Sequence, residues 1–109
     1  MVNKYQILEV VVTFPDEISG KICANTLLKE QLIACCNISG CTSMYKWEGE
    51  QIEENEVILK MKSSMEIRSE LEKRIIELHS YNVPAIVFNI IETTSSYYGW
   101  IKDCVKQIE

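Results

Sequence analysis

The sequence predicts one α+β domain with a ferredoxin-like fold: a split β-α-β-β-α-β sandwich followed by an extra C-terminal helix. Three observations support this prediction. Strand-like and helix-like segments alternate in that order, no linker or repeat interrupts them, and 109 residues suit one hydrophobic core. The predicted domain therefore spans residues 1–109. The predicted strands are 5–14, 32–47, 52–62 and 85–91.

The composition argues against several classes of protein. A hydrophobic content of 47% argues against disorder. A formal net charge of -5 without a Lys/Arg cluster argues against binding to nucleic acid or to an anionic membrane, and no apolar stretch is long enough to span a membrane. The N-terminus lacks the pattern of a signal peptide, so we expect a cytoplasmic protein whose cysteines are thiols. The cysteines are Cys23, Cys35, Cys36, Cys41 and Cys104, and no pair has C-x-x-C spacing.

The first strand and helix follow from an apolar run and a break. Residues 5–14 are rich in β-branched and apolar side chains, which is typical of a strand covered on both faces. Pro15 ends the run, and Asp16 and Glu17 place negative charge in the first turn of a helix, where the helix dipole favours it. We expect this helix to end near Glu30. Its predicted apolar face is Ile18, Ile22, Cys23, Thr26 and Leu27.

A long hairpin is predicted next. Ser39 and Gly40 interrupt the extended segment 32–47, so we expect a bulge or bend there. Residues 48–50 form the predicted turn, and residues 52–62 alternate as the partner strand.

The second helix and the last strand indicate an oligomer. Ser63 followed three residues later by Glu66 is a capping box, and the helix is expected to end around His79, before Pro84. In this topology the last strand lies at a sheet edge, yet segment 85–91 carries no charge and no interior proline. Because an exposed edge of that kind invites aggregation, we expect a neighbouring subunit to cover it.

The last helix is predicted from position 95 or 96 onward. Ser95 or Ser96 is the expected cap, because a serine hydroxyl accepts a hydrogen bond from the first free backbone N–H groups of a helix. The predicted apolar face of this helix is Tyr97, Ile101, Cys104, Val105 and Ile108.

Five segments, taken in order and with their spacing, match one family pattern over nearly the whole chain. They are LIACCNI at 32–38, TSMYKWEG at 42–49, EVILKMKS at 56–63, LHSYNVP at 78–84 and YYGWI at 97–101. Segment 42–49 is similar to a T-S-x-Y-x-W-E-G hairpin. The ordered set resembles the CutA divalent-cation tolerance family.

This resemblance implies a homotrimer of ferredoxin-like protomers whose long hairpin strands pair across subunits, similar to the trimeric PII signalling proteins. It also implies a link to copper tolerance and divalent-metal binding, and it implies no catalytic reaction. Animal members are linked to the anchoring of acetylcholinesterase. Three places depart from the family pattern: Ser39-Gly40 replaces a Pro-Gly bend, Ser80 replaces a proline, and Val12 lies where some bacterial members have a cysteine linked to metal binding.

Two residues are candidate metal ligands. His79 follows a helix C-terminus, where interaction with the helix dipole is the alternative role, but a trimer would supply three such rings. Cys35 and Cys36 point to opposite faces of one strand. A Cys35 thiolate would favour Cu or Zn ions, and the alternative is structural packing. We expect no obligatory cofactor.

A pocket for a small polar ligand is the second candidate site. Alternation places Tyr45 and Trp47 on one strand face, where the alternative is that they anchor an interface. The predicted pocket residues are Tyr45, Trp47, Glu48, Lys62 and Tyr81. Trp47 and Lys62 belong to opposite ends of one hairpin, so we expect the pocket to form where the hairpin of one subunit reaches the Lys62 and His79 end of its neighbour. The acidic stretch 53–56 is expected to be a solvated hairpin edge.

The function predicted from these features is non-enzymatic. The sequence has no phosphate-binding glycine loop, no metal-ligand cluster and no nucleophile with a local base. The predicted function is tolerance of, or response to, divalent metal ions such as copper, through metal binding by a homotrimer. The alternatives are a PII-like trimeric sensor that binds a small metabolite at pockets between subunits, and a trimeric scaffold for partner proteins.

Overall fold

A four-stranded antiparallel sheet organises the chain in a computed structural model, which describes residues 4–107. Its strands are β1 Gln6–Phe14, β2 Cys35–Trp47, β3 Glu50–Ser63 and β4 Ile86–Glu92, in the spatial order β2-β3-β1-β4. The helices are α1 Glu17–Lys29, α2 Arg68–Leu78, which follows a short 3₁₀ turn at Met65–Ile67, and α3 Ser95–Cys104. The predicted split β-α-β-β-α-β fold with a C-terminal helix is therefore confirmed, and β4 does lie at an edge.

Helix α1 packs on the sheet through Cys23 and Leu27, as predicted, but not through Ile18 and Ile22. Asp16 caps the helix by accepting a hydrogen bond from the Ser19 backbone N–H at 2.8 Å. Ile18 and Ile22, expected to be buried, are 74% and 60% exposed. Gly20 faces the sheet instead, so closely that a Cβ on it would lie 2.9 Å from a Leu59 methyl carbon. The helix therefore buries its small-residue side: Gly20, Cys23, Ala24 and Leu27.

The β2–β3 hairpin is regular along its whole length. Its register is unbroken from the pair Cys35–Lys62 to the pair at its tip, so the predicted bulge at Ser39-Gly40 was wrong. Gly40 pairs directly with its partner strand, and a Cβ there would meet nothing within 4 Å, so this glycine marks no irregularity. The turn is the two-residue loop Glu48-Gly49, with φ of 50° and 83°. Positive φ at both central residues matches the right-handed twist of the flanking strands.

Two predicted helix caps differ from the structure. The Ser63 hydroxyl donates a hydrogen bond to the Leu32 carbonyl at 2.7 Å and caps no helix, because Ser63 is the buried last residue of β3. Thr94, not Ser95 or Ser96, caps α3 by accepting from the Tyr97 N–H at 3.2 Å. The predicted apolar face of α3 is confirmed by its buried members, whereas Ile108 lies outside the described residues.

The two faces of the sheet have different covers. Helices α1 and α2 cover the face that carries Val10, Val12, Leu59 and Met61, all of which are fully buried in the core. The opposite face, here called the open face, carries residues that pair directly across the strands. Across β1, β3 and β4 it includes Val11, Thr13, Ile58, Lys60, Val87 and Asn89, and it continues at Cys41 and Glu56 onto the part of the hairpin that extends beyond β1.

Helix α3 closes one end of the sandwich. Its Tyr97 hydroxyl lies 3.4 Å from the Cys35 sulfur, where β2 begins, and Lys102 forms an ion pair with Glu66 at the start of the second helical segment. Within residues 4–107 no helix has the length and apolarity needed to cross a membrane. At the opposite end of the sandwich the hairpin extends beyond β1.

Candidate functional site

A cavity of about 710 Å³ lies between the outer half of the β2–β3 hairpin and the loop after α2. We call it the hairpin pocket. It is lined by Thr13, Ser43, Met44, Tyr45, Trp47, Glu56, Ser80, Tyr81, Asn82, Val83 and Ala85. Its volume lies within the range typical of small-molecule sites.

The pocket exists because the hairpin is longer than the strand beside it. Strand β1 pairs with β3 only over residues 57–63, so the hairpin continues past the end of β1 without a neighbour on that side. Alternation places Tyr45, Trp47 and Glu56 on the open face of this extension. The loop 79–85 turns around the end of β1 and brings Tyr81 to the same place.

Glu56 is the charged group at the centre of this arrangement. Its side chain is 7% exposed, and its carboxylate accepts a hydrogen bond of 2.6 Å from the Tyr81 hydroxyl. The expectation that the acidic stretch 53–56 is a solvated edge was therefore wrong for Glu56, because the Tyr81 loop covers it. Its neighbour Glu54 accepts a hydrogen bond from the Tyr45 hydroxyl.

Both pocket tyrosines are held in the protonated form. The hydrogen bond to Glu54, together with nearby negative charge, raises the pKa of Tyr45 to about 12. Burial and the hydrogen bond to Glu56 raise the pKa of Tyr81. Each phenol therefore acts as a hydrogen-bond donor to a carboxylate across the whole physiological pH range.

His79 lies beside the pocket with both ring nitrogens occupied. Nε2 lies 2.7 Å from the Thr13 carbonyl, to which it donates, and Nδ1 accepts from the Tyr81 N–H at 3.1 Å. The ring also stacks on Phe14 with 4.2 Å between centroids. Neither nitrogen has a free lone pair in this arrangement, so His79 would have to give up one of these hydrogen bonds to bind a metal ion. Its observed role is to hold the loop that carries Tyr81.

Lys62 and Glu48 do not belong to the pocket. Lys62 lies at the opposite end of the hairpin, paired with Cys35, and forms an ion pair with Glu9 at 3.4 Å. The pairing of β1 with β3 places Lys62 four residues from the level of Thr13 and His79, about 13 Å along the strand. The expectation that Lys62 and His79 lie at one end was therefore wrong.

Tyr45, Trp47 and Tyr81 come together within a single chain. The predicted need for a second subunit was based on Lys62, which does not line the cavity. Glu48 occupies the turn itself and is absent from the lining. Sequence reasoning missed Glu56, although the hairpin register, counted back from the Glu48-Gly49 turn, places it on the same face as Trp47.

The cysteines show no metal cluster within residues 4–107. The sulfur of Cys35 contacts the Tyr97 hydroxyl, whereas Cys36 packs against the core, so the two do point to opposite faces. Burial raises the pKa of Cys23 to about 12 and that of Cys36 to about 11, which keeps both as thiols at neutral pH. No group of three His, Cys, Asp or Glu side chains in the described chain could hold a metal ion.

The fold and the pocket define a class of protein: a small ferredoxin-like domain with an uncovered sheet face and a ligand-sized cavity beside a protruding hairpin. Residues 8–104 match the family model for CutA1 divalent ion tolerance proteins. The chain belongs to this family.

Relatives with the same description support this assignment. The divalent-cation tolerance protein CutA of Pyrococcus horikoshii is 39% identical over 99 residues, which cover 90% of this chain and 97% of that protein. The protein of the same name from Thermus thermophilus is 38% identical over 96 residues, covering 86% and 93%. The crystal structure of CutA1 from P. horikoshii has a TM-score of 0.89 to this chain at 38% identity, and covers 92% of it.

The names of other similar proteins differ in the compartment that they state. A relative in Arabidopsis thaliana, 32% identical over 99 residues, is called chloroplastic, and this chain spans 54% of its length. A structure from Archaeoglobus fulgidus, 27% identical with a TM-score of 0.88, is described as a periplasmic divalent cation tolerance protein. Family membership therefore does not fix a compartment.

Proposed function

We propose that this protein is a non-enzymatic, homotrimeric divalent-cation tolerance protein that binds Cu or Zn ions where its subunits meet, and that it works in the cytoplasm. The main observation in support of a trimer is the uncovered apolar surface on the open face. Val11 and Ile58 lie on it beside Val87, which is 52% exposed in the single chain. A second copy that covers these three residues would bury apolar surface and the edge of β4 together.

A metal site in this protein would have to be shared between subunits. The donors of a single described chain do not fit a metal ion, because no three of them converge and the candidate His79 is already hydrogen-bonded. Structural and transport sites for Cu or Zn need about three or four N, S or O ligands. Rotational symmetry supplies such a set by bringing one residue from each subunit to a common axis.

The assembly is tested by sedimentation equilibrium at micromolar concentration. A homotrimer gives three times the chain mass of 12.6 kDa. A particle of one chain mass at all concentrations contradicts the trimer.

Metal binding is tested by titration of the thiol-reduced protein with Zn(II) at pH 7.5 and pH 5.5. Binding should saturate at no more than one ion per chain and weaken at the lower pH, because protonated ligands cannot coordinate. Cys35→Ser tests the first candidate ligand, with Cys41→Ser as the matched control on the same strand. His79→Gln tests the second. The absence of saturable binding to the wild-type protein contradicts the metal proposal.

The hairpin pocket favours a second candidate function, a sensor that binds a small metabolite. This function rests on the cavity of about 710 Å³ lined by aromatic side chains, which needs no metal. Saturable binding of a metabolite that is unaffected by Cys35→Ser and blocked by Trp47→Ala would support it. Unchanged binding in Trp47→Ala would place the ligand elsewhere.

A further inference from the structure

We propose that the hairpin pocket binds a small organic cation, with an ammonium or guanidinium group against Glu56 and its apolar part against Tyr45, Trp47 and Tyr81. This inference rests on the second candidate function, that the pocket takes a small ligand, and it names the chemical class of that ligand. Three features of the site carry it: an uncompensated buried carboxylate, aromatic walls and a negative surrounding.

The buried carboxylate has no positive partner. Glu56 is the charged residue among those lining the pocket, and within residues 4–107 it forms no ion pair. Its hydrogen bond comes from a neutral phenol, that of Tyr81. A buried charge is stabilised best by an opposite charge, so a cation that enters the cavity gains the interaction that the chain itself does not provide.

The walls of the cavity suit an organic cation. Tyr45 and Trp47 are partly exposed towards it, and Tyr81 closes the opposite side. Aromatic rings attract cations through their negative faces, and they also cover the apolar carbon atoms of an organic ligand. The other residues that line the cavity, Asn82 and Val83 among them, are neutral.

The surrounding hairpin has a strong excess of negative charge. Segment 41–56 contains five glutamates and one lysine. That lysine, Lys46, is not among the residues lining the pocket. The resulting negative potential raises the local concentration of cations and disfavours anionic metabolites.

A bare metal ion fits this pocket less well than an organic cation does. The pocket supplies one carboxylate, whereas a divalent ion needs several oxygen, nitrogen or sulfur ligands, and no set of three was found in the described chain. The tyrosine oxygens are committed as protonated donors to Glu54 and Glu56. The pocket and a shared metal site would therefore be separate.

The experiment compares three probes that share one carbon skeleton and differ in charge: phenethylammonium, 2-phenylethanol and phenylacetate. The whole protein carries Trp100→Phe, so that Trp47 is its remaining tryptophan and reports binding by fluorescence. We expect phenethylammonium to bind at least tenfold more tightly than 2-phenylethanol, and phenylacetate not to saturate. Raising the salt concentration should weaken the binding of the cation only.

Two variants assign the selectivity to its source. Glu56→Gln removes the charge but keeps an acceptor for Tyr81, and should reduce the preference for the cation to less than threefold. Glu53→Gln removes the same charge from the same strand at an exposed position that does not line the pocket, and should leave the preference unchanged. An equal loss in both variants would overturn the assignment to Glu56.

The possible failures of this proposal are distinguishable. Equal affinity of the wild-type protein for the amine and the alcohol would overturn the cation specificity and leave a small-ligand pocket. Failure of all three probes to bind would overturn both the cation proposal and the second candidate function. Neither result would affect the proposed trimer or its shared metal site.

Discussion

The two faces of the sheet are built from neighbouring residues of the same strands, yet they differ in what covers them. On the helix-covered face, Val12 and Leu59 have no exposed surface. On the open face, their chain neighbours Val11 and Ile58 are only partly buried, and Val87 beside them is half exposed. The apolar run of β1 is thus complete on both faces, but one chain covers only one of them.

This difference separates the surface that one chain buries by its own folding from the surface that remains available to a partner or a ligand. The helix-covered face supplies the stability of one folded subunit through close packing. The open face keeps apolar surface next to the charged hairpin pocket, an arrangement that a monomer rarely tolerates over a large area. Substitutions on the two faces should therefore have different consequences.

The largest effect is expected for Leu59→Ala on the helix-covered face. Removing a fully buried leucine leaves a cavity and should lower the free energy of unfolding by about 2–5 kcal/mol. Chemical denaturation should show this loss at every protein concentration.

Ile58→Ala, one residue away on the open face, is the matched comparison. It should weaken the assembly instead, so its unfolding midpoint should fall further below that of the wild-type protein as the sample is diluted. Identical, concentration-independent losses in the two variants would show that the faces do not differ in this way.

A smaller effect is expected where α1 approaches the helix-covered face. Gly20→Ala would place a Cβ 2.9 Å from Leu59 and 3.2 Å from Val57. Overpacking should lower the free energy of unfolding by about 1–3 kcal/mol. The better helix propensity of alanine should offset up to about 1 kcal/mol of this loss. Gly99→Ala in α3 is the control, since its Cβ meets nothing within 4 Å and the substitution should be stabilising. Thermal unfolding of both variants measures the difference. A Gly20→Ala protein that is as stable as Gly99→Ala would rule out the close packing.

The smallest effect is expected from the ion pairs outside the sheet. Lys21, Arg74 and Lys102 lower the pKa of Glu17, Glu30 and Glu66, respectively, from the ordinary value of 4.5. A carboxyl group with a lowered pKa in the folded state contributes stability above pH 4.5, and this contribution is lost as the pH falls through the lowered value.

These pairs are exposed, so the loss of stability on acidification should be slight and should shrink at high salt. Melting temperatures between pH 6 and pH 3 would measure it. The double variant Glu30→Gln/Glu66→Gln should have a flatter profile than the wild-type protein. A profile with the same slope would show that the pairs contribute nothing.

The order of the strands and helices was predictable because the hydrophobic pattern sets it locally. Details that depend on distant neighbours were not. Ser63 has the spacing of a cap, but its hydroxyl meets the Leu32 carbonyl, which lies 31 residues away in sequence. Gly40 has the sequence of a bulge, but the pairing of the whole hairpin keeps it regular.

The candidate site was predictable to about the same extent. Tyr45, Trp47 and Tyr81 were placed in one pocket, and they do line one cavity. Glu56 was missed because an acidic stretch in a hairpin is usually solvated, and its burial depends on a loop that arrives from another part of the chain. The hydrogen bond of His79 Nε2 likewise depends on Thr13, which lies 66 residues earlier.

Two lysine substitutions, compared by sedimentation equilibrium, test whether the part of the open face around Val11, Ile58 and Val87 is the subunit interface of a homotrimer. Val87 on the open face and Ile22 on the outer surface of α1 are similarly exposed apolar residues in the single chain. We predict that Ile22→Lys keeps the trimer mass of three times 12.6 kDa, whereas Val87→Lys dissociates into single chains or fails to fold. A Val87→Lys protein that remains trimeric with an unchanged melting temperature would contradict this prediction.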